Sequence, residues 1–246
     1  MKLTVSWLSA GISSFVATYL AKDEIDEIYY IHIDDQEKDT LRFIKDCEKA
    51  IGKPIKMLQS EYKSVEQAVL AFGCFGNKRT MFYPCTNWLK KRVRKEQFEN
   101  LHKEDDVTYI WGFDCNERHR VDRIVDGMPN FTHRFPLIEN NLTKQDCHAM
   151  AKKLGIRRPF MYELGYNNNN CIGCVKGGMG YWNKVRKDFP EVFESRAKLE
   201  RKIGNSILKE CYLDELEPER GIEQVEITED CGIFCELGLR CIGELK

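Results

Sequence analysis

The feature that most constrains this chain is a hydrophobic period that keeps switching along its first two-thirds. Short apolar runs of strand length, "KLTVSWL", "EIYYIHI", "PIKML" and "VTYIWGF", are separated by stretches whose apolar residues recur at helical spacing. In "SSFVATYLAK" the recurring set is Phe15, Val16, Tyr19 and Leu20. In "KDTLRFIKDCEKAIG" it is Leu41, Ile44, Cys47 and Ile51, and Gly52 and Pro54 supply the stop. Ser64 with Gln67, and Thr143 with Asp146, have the spacing of capping boxes that open the helices "VEQAVLAF" and "KQDCHAMAKKLG". Strands alternating with helices in this way predict an α/β fold, a three-layer parallel sheet whose ligands bind outside the carboxyl ends of the strands. Function is therefore sought at three strand ends: Ser9 to Ser14, Asp34 with Asp35, and Gly112 to Arg123.

Composition narrows the partners. The 246 residues carry 38 basic and 39 acidic side chains, a net charge of −1, so no global basic field advertises nucleic acid. "KKRVRK" at 90–95 is the one concentrated basic run, and a solvated helix face is its default explanation. The first residues lack a signal peptide's apolar core and no later window approaches a membrane span, so a soluble, cytoplasmic chain with no membrane partner is expected. In a reducing compartment the eleven cysteines are expected as buried thiols, metal ligands or redox groups rather than as a disulfide framework. Near Tyr162 the pattern changes to the polar, glycine-rich "ELGYNNNNCIGCVKGGMGYW", then to a charged helical stretch and a cysteine-bearing tail. Two regions follow, 1–161 and 162–246.

The turn Ser9, Ala10, Gly11, Ser13 and Ser14 has almost no bulk, which allows an anion to approach the unsatisfied amides at a helix N-terminus. A tight strand-to-helix connection is the plainer reading. Neither a Walker A ending nor a dinucleotide fingerprint is present. Arg120 and Arg123 suit anion recognition after the strand that ends at Gly112, and Glu117 either joins them there or pairs with Arg120 on a solvated face. Asp34 and Asp35 either bind ribose hydroxyls or a magnesium ion, or cap the following helix. His32, His119, His133 and His148 show no metal-ligand spacing. Cys171 and Cys174 form a Cys-x-x-Cys knuckle around Gly173 that can grip one metal, and the tail adds Cys231, Cys235 and Cys241.

"SAGISS" resembles the PP-loop of the ATP pyrophosphatase and phosphoadenosine phosphosulfate (PAPS) reductase superfamily, usually Ser-Gly-Gly-x-Asp-Ser. Ser9, Gly11 and Ser14 match; Ala10 replaces a glycine and Ser13 the aspartate. "IHIDDQEKDTLRFI", "WGFDCNERHRVDR", "PLIENNLTKQDCHAMAKKLGI" and "ELGYNNNNCIGC" are similar to further segments of the PAPS reductase-like family, in its order. The resemblance implies a sheet of the HUP/PP-loop type in residues 1–161 and a cysteine-containing α-helical region after it. It implies ATP or an adenylyl sulfate as substrate nucleotide, with Mg2+, bound by Ser9, Ala10, Gly11, Ser13, Ser14, Asp34, Asp35, Gly112, Glu117, Arg120 and Arg123, and with Ser14 in a catalytic role.

The same resemblance makes Cys85 the third metal ligand beside Cys171 and Cys174, although Pro84 stands where one branch has a second cysteine. "Glu-Asp-Cys-Gly-Ile" looks like the family's terminal Glu-Cys-Gly-Leu/Ile-His, with Phe234 in place of the histidine. Either Cys231 is a nucleophile, or Cys231 or Cys235 completes a zinc or iron–sulfur site, and thiolates serve both metals. The implied partners are a sulfur donor or acceptor protein or a nucleic acid, with a homodimer as the assembly. A non-catalytic nucleotide-binding or interaction protein with structural zinc is the alternative.

Overall fold

The computed structural model describes residues 1–76, 82–222 and 227–229. Its centre is a five-stranded, all-parallel sheet: β1 (Lys2–Leu8), β2 (Glu27–His32), β3 (Ile55–Gln59), β4 (Asp106–Ile110) and β5 (Thr132–Arg134), in the order β3-β2-β1-β4-β5. Val5 lies opposite Glu27, Ser6 opposite Ile110 and Thr108 opposite Thr132. The chain runs outward from β1 to β3 and then returns to β1's other side as β4. At that reversal the connections leave in opposite directions and open a crevice beyond the strand ends.

Alternation along each strand splits the core between the two faces. Leu3, Val5, Tyr29, Val107 and Tyr109 pack with Phe98 on one face. Leu8, Ile28, Tyr30 and Ile110 pack with Phe15, Phe43 and Met150 on the other. Helices α1 (Ile12–Leu20), α2 (Asp39–Ile51) and Lys144–Lys153 supply that second layer. One of the two expected capping boxes forms: Thr143 and Asp146 cap each other's backbone, whereas at the start of α3 (Val65–Phe72) the Ser64 side chain accepts the Gln67 amide as a simple N-cap. On α2 the buried stripe is Thr40, Phe43, Ile44, Cys47 and Ile51, while Leu41 is 37% exposed. Phe43, not Leu41, continues the i, i+4 row through Cys47 and Ile51 that faces the sheet.

The apolar core crosses Tyr162 without a break. Val65, Val69 and Leu89 share one cluster with Met161, Trp182, Phe193 and Leu213, so the helices Met179–Asp188 and Pro190–Ile203 lean on α3. The fully buried Glu200 carboxylate accepts the Ile207 and Leu213 amides at 2.5 and 2.6 Å, which folds the chain back after its helix. Among the described residues, all eight cysteines are free and no helix is long and apolar enough to cross a membrane.

Candidate functional site

β1 ends in a turn made from few atoms and held by many. Ala10 is fully buried with φ 61°, a left-handed conformation that costs an alanine about 1 kcal/mol or more and persists only where neighbours enforce it. The Ser14 hydroxyl donates to the Gly11 carbonyl at 2.8 Å and accepts the Ser9 amide at 3.1 Å, closing the turn on itself. Gly11 caps α1 with no side chain of its own, and the first turn carries no acidic residue. The Tyr162 hydroxyl lies near the Ile12 and Asn169 amides, and burial pushes this phenol up to about 12. Gly112 at the end of β4 abuts the turn so closely that a Cβ there would lie 2.6 Å from the Ser14 Cα.

The turn opens into a cavity of about 840 Å³ across the ends of β1, β2 and β4. Ser9, Gly11, Ser13 and Ser14 line one side, with Gly112, Glu117 and Arg120 beside them. Trp7, Ile31, Trp111 and Phe113 give apolar walls, and Asn167, Asn168 and Asn170 a polar one. Five cations face in: Lys90, Lys91, Arg94, Arg120 and Lys144. Lys144 donates to the Asn167 carbonyl and to Asn168 Oδ1; Arg120 pairs with Glu117 and stacks 4.2 Å over the Phe113 ring. The Asp114 carboxyl is held above its ordinary range by burial, with Glu117 adding to the effect.

Lys90, Lys91 and Arg94 come from the basic run, which is not simply a solvated face. The helical stretch from Pro84–Thr86 to Lys95–Glu99 contains two wide π-type turns, Asn87–Lys91 and Lys95–Glu99, and it lays these cations over the strand ends.

The structure gathers three of the thiols singled out from the sequence next to this cavity. Cys171 pairs through its backbone with Gln36 in the loop after β2, and the Ile172 amide donates to the Asp35 carbonyl at 2.8 Å. Gly173 adopts φ 70° in the knuckle, where a Cβ would meet Val192 at 2.9 Å. The Tyr181 hydroxyl accepts the Cys174 amide at 2.9 Å and donates to the Cys171 carbonyl at 3.3 Å. Burial pushes the Cys171 thiol up to about 12; Lys90 opposes this, and Asp35, Cys174 and Cys85 add to it. Cys85 is raised by burial and by Cys174. Held neutral by burial, the Cys171 and Cys85 thiols carry no charge, and among the described residues no three His, Cys, Asp or Glu side chains are arranged to hold a metal ion. As thiolates they would be soft donors suited to a soft cation. Cys231 and Cys235 lie outside the described residues.

Other sequence-predicted residues are placed elsewhere. Asp34 and Asp35 stand at the end of β2 but do not line the cavity. Asp34 accepts from Gln59 at 2.7 Å; Asp35 accepts the Val65 amide at 2.6 Å and pairs with the buried Arg196. Asp35 therefore supports the start of α3, not of the following helix α2, and neutralises an interior guanidinium. Arg123 is exposed, and Ile124 and Arg120 face the cavity instead. Ser13, where the PP-loop resemblance expects an aspartate, lies near the buried Cys147 and lines the cavity. Tyr162, Lys144, Asp114, Asn167, Asn168 and Asn170 are cavity residues that sequence reasoning missed; the run of four asparagines beside a Cys-x-x-Cys was the available signal. No protein-family model matches the chain, and no curated protein matches it.

Proposed function

We propose that the chain is a PAPS reductase-like PP-loop enzyme that binds ATP or an adenylyl sulfate across the sheet's carboxyl ends and acts in sulfur transfer or reduction. The observation that carries this reading is one cavity joining a bulk-free turn and five cations, one of which, Lys90, also lies near a trio of thiols. Phosphates on the first turn of α1 gain from its amides, Lys144 and Arg120, while Trp111 and Phe113 offer a surface for a base.

In the ATP-using version an acceptor oxygen attacks the α-phosphorus; the new O–P bond forms as the bond to the β-phosphate oxygen breaks, and pyrophosphate leaves. In the reductase version a thiolate, with Cys231 as candidate, attacks the sulfate sulfur and expels the nucleotide, and an external dithiol then releases sulfite and becomes a disulfide. Cys85, Cys171 and Cys174, with Cys235 as fourth ligand, would hold zinc or an iron–sulfur cluster, which supplies Lewis acidity or electron storage. Pyrophosphate release from ATP under anaerobic conditions is expected to fall at least about tenfold in Ser14→Ala.

A second reading, a nucleotide-binding protein with structural zinc, is favoured by Ser13 standing where the PP-loop resemblance expects an aspartate. Tight nucleotide binding without turnover, in colourless protein carrying zinc, would select it. A visible absorption band with iron would select the first.

A further inference from the structure

Asn169 lies in a run of four asparagines, is 5% exposed, and contributes nothing to the cavity wall formed by its neighbours. Its side-chain amide instead donates to the Ala10 carbonyl at 2.8 Å and to the Thr40 hydroxyl at 3.1 Å. Its own backbone amide lies near the Tyr162 hydroxyl, as does that of Ile12. The buried Asn169 side chain thus holds the turn from behind.

A peptide unit is planar and trans, so its carbonyl and the next amide point in opposite directions. With the Ala10 carbonyl drawn inward onto Asn169, the Gly11 amide is aimed outward, on the side where Gly11 lines the cavity. Ala10 has no intrinsic reason to stay at φ 61°. Without Asn169 the peptide is free to rotate, and rotation would replace an N–H donor with a carbonyl oxygen at the anion's position. We infer that Asn169 is a positioning residue that fixes the Ala10–Gly11 peptide in the orientation in which the turn binds a phosphate group. This rests on the nucleotide reading of the cavity and adds to it the residue that keeps the turn receptive.

The test is calorimetric titration of full-length wild-type, Asn169→Ala, Asn169→Asp and Thr40→Val proteins with inorganic pyrophosphate and with ATP, alongside thermal melts without ligand. Asn169→Ala is expected to weaken both ligands about tenfold or more, the loss of a buried directing hydrogen bond. Asn169→Asp, unable to donate when ionised, is expected to bind worse still at pH 8 and to recover relative to wild type as the pH falls and its carboxyl regains a proton. Thr40→Val, which leaves the bond to Ala10 intact, is expected to stay within about threefold of wild type. Folded Asn169 variants with wild-type affinity, or an Asn169→Asp variant whose deficit ignores pH, would overturn the inference while leaving the nucleotide reading intact. If Asn169→Ala does not fold, the Asp variant's pH response decides. Wild-type protein that binds neither ligand would overturn the reading beneath it.

Discussion

His148 is wholly buried, and neither ring nitrogen has a hydrogen-bond partner among the described residues. Its ring meets the Tyr162 ring edge-on at 4.6 Å, and burial, with Arg158 and Lys144 nearby, lowers its pKa from 6.5 to about 3. Between those values the unfolded chain takes up a proton that the folded one refuses, so this contribution to stability is complete above pH 6.5 and is lost as the pH falls toward 3. His148→Phe keeps the edge-on contact and removes the titration. Relative to wild type the variant should be about 2 kcal/mol more stable at pH 5 than at pH 8, by urea unfolding at both. Equal differences at the two pH values would contradict the assignment. Gly112 makes a second test at this scale. In Gly112→Ala the added carbon would press on Ser14 backbone atoms at 2.6 and 2.9 Å, so the turn itself must move. A stability loss of about 1–3 kcal/mol is expected from overpacking, with weaker ATP binding in the same titration.

Among the elements, four of the five strands and the helices beside them were legible because each announces itself locally: β1 is "KLTVSWL" to the residue and the Thr143–Asp146 capping box forms, whereas the three-residue β5, "THR", carries no apolar run to mark it. The turn after β1 was legible for the same reason, since its lack of bulk is written in consecutive residues. What was not legible depends on chain segments brought together from far apart. The basic run faces the cavity only because a helix with two π-type turns crosses the strand ends. Asp35 looks free until Arg196, from a helix 161 residues later, occupies it. Asn169 is indistinguishable from its three neighbours until Ala10 is placed beneath it. The knuckle carries its own prediction. Tyr181→Phe deletes the hydroxyl that satisfies the Cys174 amide and should cost about 1–2 kcal/mol. It should also speed alkylation of Cys171 and Cys174, followed by mass spectrometry; unchanged alkylation rates would show that the knuckle does not need that bond.

Across the whole molecule, the topological reversal between β1 and β4 sets where a ligand can lie, and the C-terminal helices bring the thiols to that same edge through a core shared with α3. The central claim is that the turn after β1 receives the phosphates of an adenine nucleotide. Gly11→Asp tests it most directly. Gly11 is the N-cap of α1 at φ −97°, ψ 155°, a conformation aspartate favours, and an added Cβ there meets nothing nearer than the Tyr162 hydroxyl at 3.4 Å. The new carboxylate would occupy the anion's place without unfolding the helix. Calorimetric titration with ATP is predicted to show saturable binding by the wild-type protein and none by Gly11→Asp of unchanged melting temperature, whereas equal affinity in the two proteins would contradict the account.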